Sequence, residues 1–123
     1  MKLSIIIPAY NEEKTIALVL DKVLSVILPE GLSREIIIIN DGSLDQTGKI
    51  LYSYAEFKEI QILNQAHQGK TAALALGVDK ATGDIILVQD ADLEYDPAQY
   101  PALLDPILRN KADVVYGSRF LGD

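Results

Sequence analysis

The chain has 123 residues, the length of one domain, and its 49% hydrophobic against 24% charged residues exclude disorder as the default state. Lys+Arg 11 against Asp+Glu 18 gives a net charge of -7, so no diffuse attraction to nucleic acid or anionic lipid is available. Cysteine is absent and His67 is the single histidine, which excludes disulfides, thiolate zinc sites and histidine cages, so any metal must be held by oxygen.

The first apolar run, Leu3 to Ile7, stops at Pro8 and the charged Glu12, Glu13 and Lys14, far short of a signal peptide. Asp21 and Lys22 interrupt Ile16 to Leu28 before it can span a bilayer. A soluble, cytoplasmic chain is expected, with membrane association left open for a longer parent. Short β-branched runs then alternate with segments of helical period, the pattern of βαβ units. Strands are predicted at Leu3 to Ile7, Glu35 to Ile39, Ile60 to Leu63, Ile85 to Val88 and Val114 to Tyr116. Their apolar runs are continuous, as in strands covered on both faces. Ile16, Val19, Leu20, Val23 and Ile27 form one helical stripe. Asp45 to Phe57 and the Ala-rich Thr71 to Ala81 supply two further helices, and Tyr100, Leu103, Leu104 and Ile107 mark a fourth, entered after Asp96-Pro97. The fold class is therefore α/β, a Rossmann-like doubly wound, mostly parallel sheet with helices on both faces.

In such sheets ligands bind beyond the carboxyl ends of the strands. All five of those ends here are polar or glycine-bearing, whereas the opposite ends read as ordinary turns. Asp90-Ala91-Asp92 follows the fourth strand, and residues two apart in extended chain project to one side. Glu94 continues the spacing. Such carboxylates suit Mg2+ or Mn2+ bridging to a diphosphate; equally, acids after a strand cap helices or face water. Asp41 in Asn40-Asp41-Gly42-Ser43 either accepts a hydrogen bond from a base or ribose, or belongs to a capping segment with Ser43 or Asp45. Glu12 either binds a ribose hydroxyl or favours a helix dipole, and Tyr10 either flanks a base or covers the sheet edge. His67 reads as a surface or hydrogen-bonding residue.

Two rivals share the class. Gly69-Lys70-Thr71 ends like the phosphate loop of a nucleotide triphosphatase, but Asn64 stands where that loop needs glycine. A phosphorelay receiver needs an Asp ending the third strand, where Leu63-Asn64 stands, and a Lys after the fifth, where Ser118-Arg119 stands.

Ile5-Ile6-Ile7-Pro8-Ala9-Tyr10-Asn11-Glu12, Asn40-Asp41-Gly42-Ser43, Asn64 through Gly77, Gln89-Asp90-Ala91-Asp92-Leu93 and Gly117-Ser118-Arg119 together resemble family 2 glycosyltransferases, over essentially the whole chain. Within that family they look most like polyprenyl-phosphate sugar synthases of the dolichyl-phosphate type. The resemblance implies a GT-A fold and inverting transfer from a UDP- or GDP-sugar, here to a polyprenyl phosphate. It places Pro8, Ala9, Tyr10, Glu12, Asp41, Gly69, Lys70, Asp90 and Ala91 at the nucleotide. Asp90, Asp92 and Glu94 would hold Mg2+ or Mn2+, with Asp92 and Arg119 as catalytic residues and Arg119 at the acceptor phosphate. Asn40, where many members have Asp, and Thr71, where glycine or alanine is common, depart from the pattern. The resemblance also implies that residues 1–123 form a nucleotide-sugar-binding domain ending before the acceptor-binding part. Without that part the fragment either turns over or only binds nucleotide. An antiparallel strand that members add beside the metal-bearing strand lies outside the chain, so homodimer formation through an open edge is a further expectation. From Asp84 onward three basic residues face eight acidic ones, a net -5 that a diphosphate can approach only across a cation.

Overall fold

The structure, a computed structural model, describes residues 1–92, 94, 96–110 and 114–117. Five strands, β1 (Lys2–Ala9), β2 (Ser33–Asp41), β3 (Ile60–Gln65), β4 (Ile85–Gln89) and β5 (Val114–Gly117), form one sheet in the order β3-β2-β1-β4-β5. Every pairing is parallel. Strand order reverses between β1 and β4, so their carboxyl ends flank the crevice where a doubly wound sheet binds its ligand.

Alternation along β1 decides what each face carries. Leu3, Ile5 and Ile7 join Ile36, Ile38, Ile60, Ile85 and Leu87 under α1 (Ile16–Ser25), α2 (Thr47–Tyr52) and α4 (Tyr100–Asn110). Ile6, Ile37 and Ile39 point the other way, onto α3 (Lys70–Lys80) through Ala73. The isoleucines of β1 and β2 are buried on both faces, as their unbroken apolar runs predict. Helix α3 comes close enough to the sheet that a Cβ on Gly77 would stand 2.5 Å from Ile6 Cγ2 and 2.9 Å from Ile39 Cδ1.

Element ends depart from expectation for local reasons. The α1 stripe stops at Ser25: Val26 turns extended (φ -65°, ψ 135°), Leu28 precedes Pro29, and Ile27 is 85% exposed rather than part of the apolar face. Regular α-helix in α2 ends at Tyr52, and the segment reaches Phe57 through i to i+3 bonds such as Ser53 N–H to Ile50 O (3.1 Å) and Phe57 N–H to Tyr54 O (3.2 Å). A 3-10 turn over Pro97–Gln99 precedes α4, with Asp96 accepting from Ala98 N–H. Strand β5 pairs in parallel with β4, and the outer strands of the described sheet are β3 and β5. Among the described residues no helix is long and apolar enough to cross a membrane.

Candidate functional site

Beyond the carboxyl ends of β1 and β4 lies a pocket of about 330 Å3. Pro8, Ala9, Tyr10, Glu12, Asp41, Gly69, Lys70, Asp90, Ala91 and Asp92 line it, together with His67 and Ala73. Residues from four loops thus meet in one concavity, of the size typical for small-molecule sites. Glu94 joins at the rim through the acidic cluster described below. Ser118 and Arg119 lie outside the described residues.

The loop after β1 is held by the loop after β2. Asn11 adopts a left-handed conformation (φ 52°), which Asn tolerates better than most residues. Its side chain accepts from Leu44 N–H (2.8 Å), while its own N–H donates to Ser43 Oγ (3.0 Å). Glu12 N–H donates to Thr47 Oγ1 (2.9 Å) and Glu13 N–H to Asp45 Oδ2 (3.2 Å). Asp45 Oδ1 also receives Thr47 N–H (2.9 Å), leading the chain into α2. Burial pushes the Asp45 carboxyl up, but the Thr47 hydroxyl, Thr47 N–H and Glu13 N–H outweigh it and hold it below the ordinary Asp range.

Asp41, its side chain only 4% exposed, organises the loop between β3 and α3. Its Oδ1 accepts from Gln65 Nε2 (2.8 Å) and Gln68 N–H (2.8 Å), and its Oδ2 from Gly69 N–H (2.9 Å). His67 Nδ1 lies 3.0 Å from Oδ2 and 3.2 Å from the Asp41 carbonyl oxygen. Both neighbours are acceptors, so Nδ1 carries a proton. Desolvation raises the Asp41 pKa, yet the Gln68, Gln65 and Gly69 donors and the His67 ring together hold it below the usual range. The carboxylate is therefore a built hub as well as a pocket wall. Gly42 (φ 71°) closes the turn beside it, where a Cβ would stand 2.6 Å from His67 N. Asn40, buried, donates its side-chain amide to Asn64 Oδ1 (3.1 Å), a bond that an Asp at this position could not make.

This arrangement disposes of the phosphate loop. Gln68 and Gly69 turn their amides to Asp41, and Lys70 Nζ reaches Asp90 Oδ1 at 2.7 Å, so these groups of the loop are engaged by carboxylates rather than arranged around a phosphate.

At the end of β4, Asp90 is largely shielded, with a side-chain exposure of 13%, while Asp92 and Glu94 are exposed. One carboxylate oxygen from each of Asp90, Asp92 and Glu94 lies within 4.8 Å of the others. That spacing matches oxygens placed around one hard cation at about 2.0–2.6 Å, so the donor set fits Mg2+ or Mn2+. Thr15 donates to Ala91 O (2.6 Å), anchoring the acidic turn to the start of α1. From behind, Tyr100 Oη donates to Gln89 Oε1 (2.6 Å) and Gln89 Nε2 to Asp90 O (3.0 Å). Glu12 faces this cluster. Burial raises its pKa, the Thr15 hydroxyl opposes, and the charges of Asp92, Asp45 and Asp90 add to the rise.

His67 is the hydrogen-bonding residue that the sequence suggests, but its place in the pocket, Thr15 and the Tyr100–Gln89 pair escape sequence reasoning. His67 stacks on Tyr10 with centroids 4.1 Å apart and planes at 26°. Loop placement gives no signal of that pairing, whereas the buried Tyr100 reads from sequence only as an apolar helix residue.

The family model described as "Glycosyl transferase family 2" matches residues 4–123. A protein of Synechocystis sp. described as an uncharacterized glycosyltransferase is 39% identical over 121 residues, which cover 97% of this chain and 38% of that protein. The dolichol-phosphate mannosyltransferase of Pyrococcus furiosus is 30% identical over 122 residues, covering 98% of this chain and 34% of the relative. Among solved structures, glucosyl-3-phosphoglycerate synthase from Mycobacterium tuberculosis, in complex with Mn2+, UDP and phosphoglyceric acid, superposes with a TM-score of 0.71 at 28% identity, covering 87% of this chain and 39% of that one. The chain thus spans little more than a third of the length of the curated relatives it matches. Its sheet is the Rossmann-like core of the GT-A glycosyltransferases. From the matched residues and the shared fold together, the chain belongs to glycosyl transferase family 2.

Proposed function

We propose that residues 1–123 form the donor-binding domain of a glycosyltransferase that takes a UDP- or GDP-sugar and transfers the sugar with inversion to a polyprenyl phosphate. The observation that carries the reading is the meeting of Asp90 and Asp92, whose carboxylate oxygens cluster with that of Glu94, with Tyr10 and Asp41 in a single pocket at the strand-order reversal. The P. furiosus relative named for dolichol phosphate supports the acceptor class, and the mycobacterial complex with Mn2+ and UDP supports the donor. With this reading goes the cytoplasmic location expected from the sequence.

Tyr10 offers a flat face to the base, and Asp41 an acceptor for a ring N–H. Glu12 stands where a ribose hydroxyl can donate to it. Lys70, already at Asp90, brings a positive charge to the diphosphate. A divalent ion held by Asp90, Asp92 and Glu94 would neutralise charge on the departing nucleoside diphosphate. In an in-line displacement the acceptor phosphate oxygen bonds to the anomeric carbon while the bond to the diphosphate oxygen breaks, that oxygen keeping the electron pair. A phosphate acceptor is already anionic, so this chain needs no strong general base. The resemblance assigns the acceptor phosphate to Arg119 and a catalytic role to Asp92.

Titration calorimetry with UDP and GDP, with and without Mn2+, tests the donor half of the reading. Binding that requires Mn2+ in the unaltered chain and disappears in Asp92→Ala is the expected result. Metal-independent binding that Asp92→Ala leaves unchanged would sink the carboxylate-metal assignment. Turnover separates the transferase from a nucleotide-binding module.

A further inference from the structure

The His67 ring has the two features the nucleotide reading asks of a base. It is a flat heterocycle lying on Tyr10 with ring centroids 4.1 Å apart, and Nδ1 presents a ring N–H to Asp41 Oδ2 at 3.0 Å. A uracil or guanine bound between the same two residues would make the same pair of contacts, a stack on a phenol and a ring N–H donated to a carboxylate. Asp41 has no spare position for such a base, because its oxygens already receive Gln65, Gln68, Gly69 and His67. Gln68 and Gly69 donate backbone amides of the folded loop, and Gln65 donates a side-chain amide from the end of β3. Of the two side-chain donors only the imidazole, 55% exposed, lines the pocket, and it can leave without unmaking the loop. The main chain of His67 stays in place, since Gly42 packs directly on it and any Cβ there would stand 2.6 Å from His67 N.

We propose that the His67 side chain occupies the nucleobase position in the free protein and swings out when a nucleoside diphosphate binds, acting as an internal competitor for Tyr10 and Asp41. The inference rests on the nucleotide reading above. An imidazole holding the site in most molecules lowers the apparent affinity by the fraction of molecules left competent, so emptying the position restores affinity.

The test uses tag-free protein with UDP and with GDP, each with Mn2+. His67→Ala is expected to bind on the order of tenfold more tightly than the unaltered chain, the gain for a position nine-tenths occupied. In the unaltered chain the sole histidine gives one imidazole Hε1 resonance. That resonance is expected to lose its ring-current shielding from Tyr10 as nucleotide saturates the site, a readout that needs no variant. Unchanged or weaker binding by His67→Ala, or an imidazole that stays shielded in the complex, would overturn displacement and make His67 a fixed wall on which the base stacks. If neither UDP nor GDP binds either protein, the nucleotide reading itself falls, and the displacement proposal with it.

Discussion

Asp41→Asn isolates the hub on which the β3–α3 loop is built. The best orientation of the new amide keeps its oxygen toward Gln65 Nε2 and Gln68 N–H and turns its NH2 toward Gly69 and His67. His67 can accept by changing tautomer, but Gly69 N–H then faces a donor. An unsatisfied buried amide costs about 1–3 kcal/mol, and exchanging charged for neutral acceptors at the other bonds adds to it. The pocket admits water on one side, which recovers part of the loss, so about 2–4 kcal/mol is expected at pH 7. At a urea slope of roughly 2 kcal/mol/M, the unfolding midpoint should fall by about 1–2 M. The pH dependence carries a second signature. The native Asp41 pKa lies below its ordinary value, so its stabilisation is present above the unfolded-state value and lost as pH falls through the native one. The gap between the unaltered chain and Asp41→Asn should therefore narrow on acidification. A midpoint change equivalent to less than about 0.5 kcal/mol, or a gap that stays constant down to low pH, would refute the reasoning.

Two further substitutions probe the scaffold. Tyr100→Phe removes the hydroxyl donated to Gln89 Oε1 and should cost about 1–2 kcal/mol in urea unfolding. By loosening the link from Gln89 to the Asp90 carbonyl, it should also weaken Mn2+-dependent UDP binding by up to about tenfold in calorimetry. Gly77→Ala places a methyl 2.5 Å from Ile6 Cγ2, and the resulting overpacking should exceed alanine's helix-propensity advantage. A net destabilisation of about 1–2 kcal/mol is the expected outcome, whereas a stabilised protein would show that α3 can retreat from the sheet.

Legibility in the sequence follows the range of the interaction. Asp90, Asp92 and Glu94 are legible together because they are near neighbours in sequence, but β4 ends at Gln89 and their carboxylates converge through the turn that follows it, with Glu94 N–H donating to Asp92 Oδ1 (3.1 Å), rather than through the extended projection that the spacing suggests. The strands of β1 and β2 are legible because burial on both faces writes a continuous isoleucine run. Ile27 misleads because its spacing continues the α1 stripe, while Pro29, two residues on, decides the backbone before it. The His67–Asp41 pair joins residues 26 positions apart through a loop with no regular period, so nothing local announces it. Tyr100 hides its role differently: its apolar ring satisfies the helix pattern, and only the fold shows the hydroxyl aimed at Gln89.

The stitching of the two loops beside the pocket bears on how this chain can be recombined with its relatives. Asn11, Glu12 and Glu13 are bonded to Ser43, Leu44, Asp45 and Thr47 through backbone and side-chain groups alternately. The second loop has bonds of its own, Ser43 N–H to Asn40 Oδ1 (3.2 Å) and Thr47 N–H to Asp45 Oδ1 (2.9 Å), but a graft of residues 40–47 alone would arrive without its partners at residues 11–13. A crossover point between residues 13 and 43 separates what the structure joins. The portable unit for exchange between family members is therefore the pair of segments, moved together.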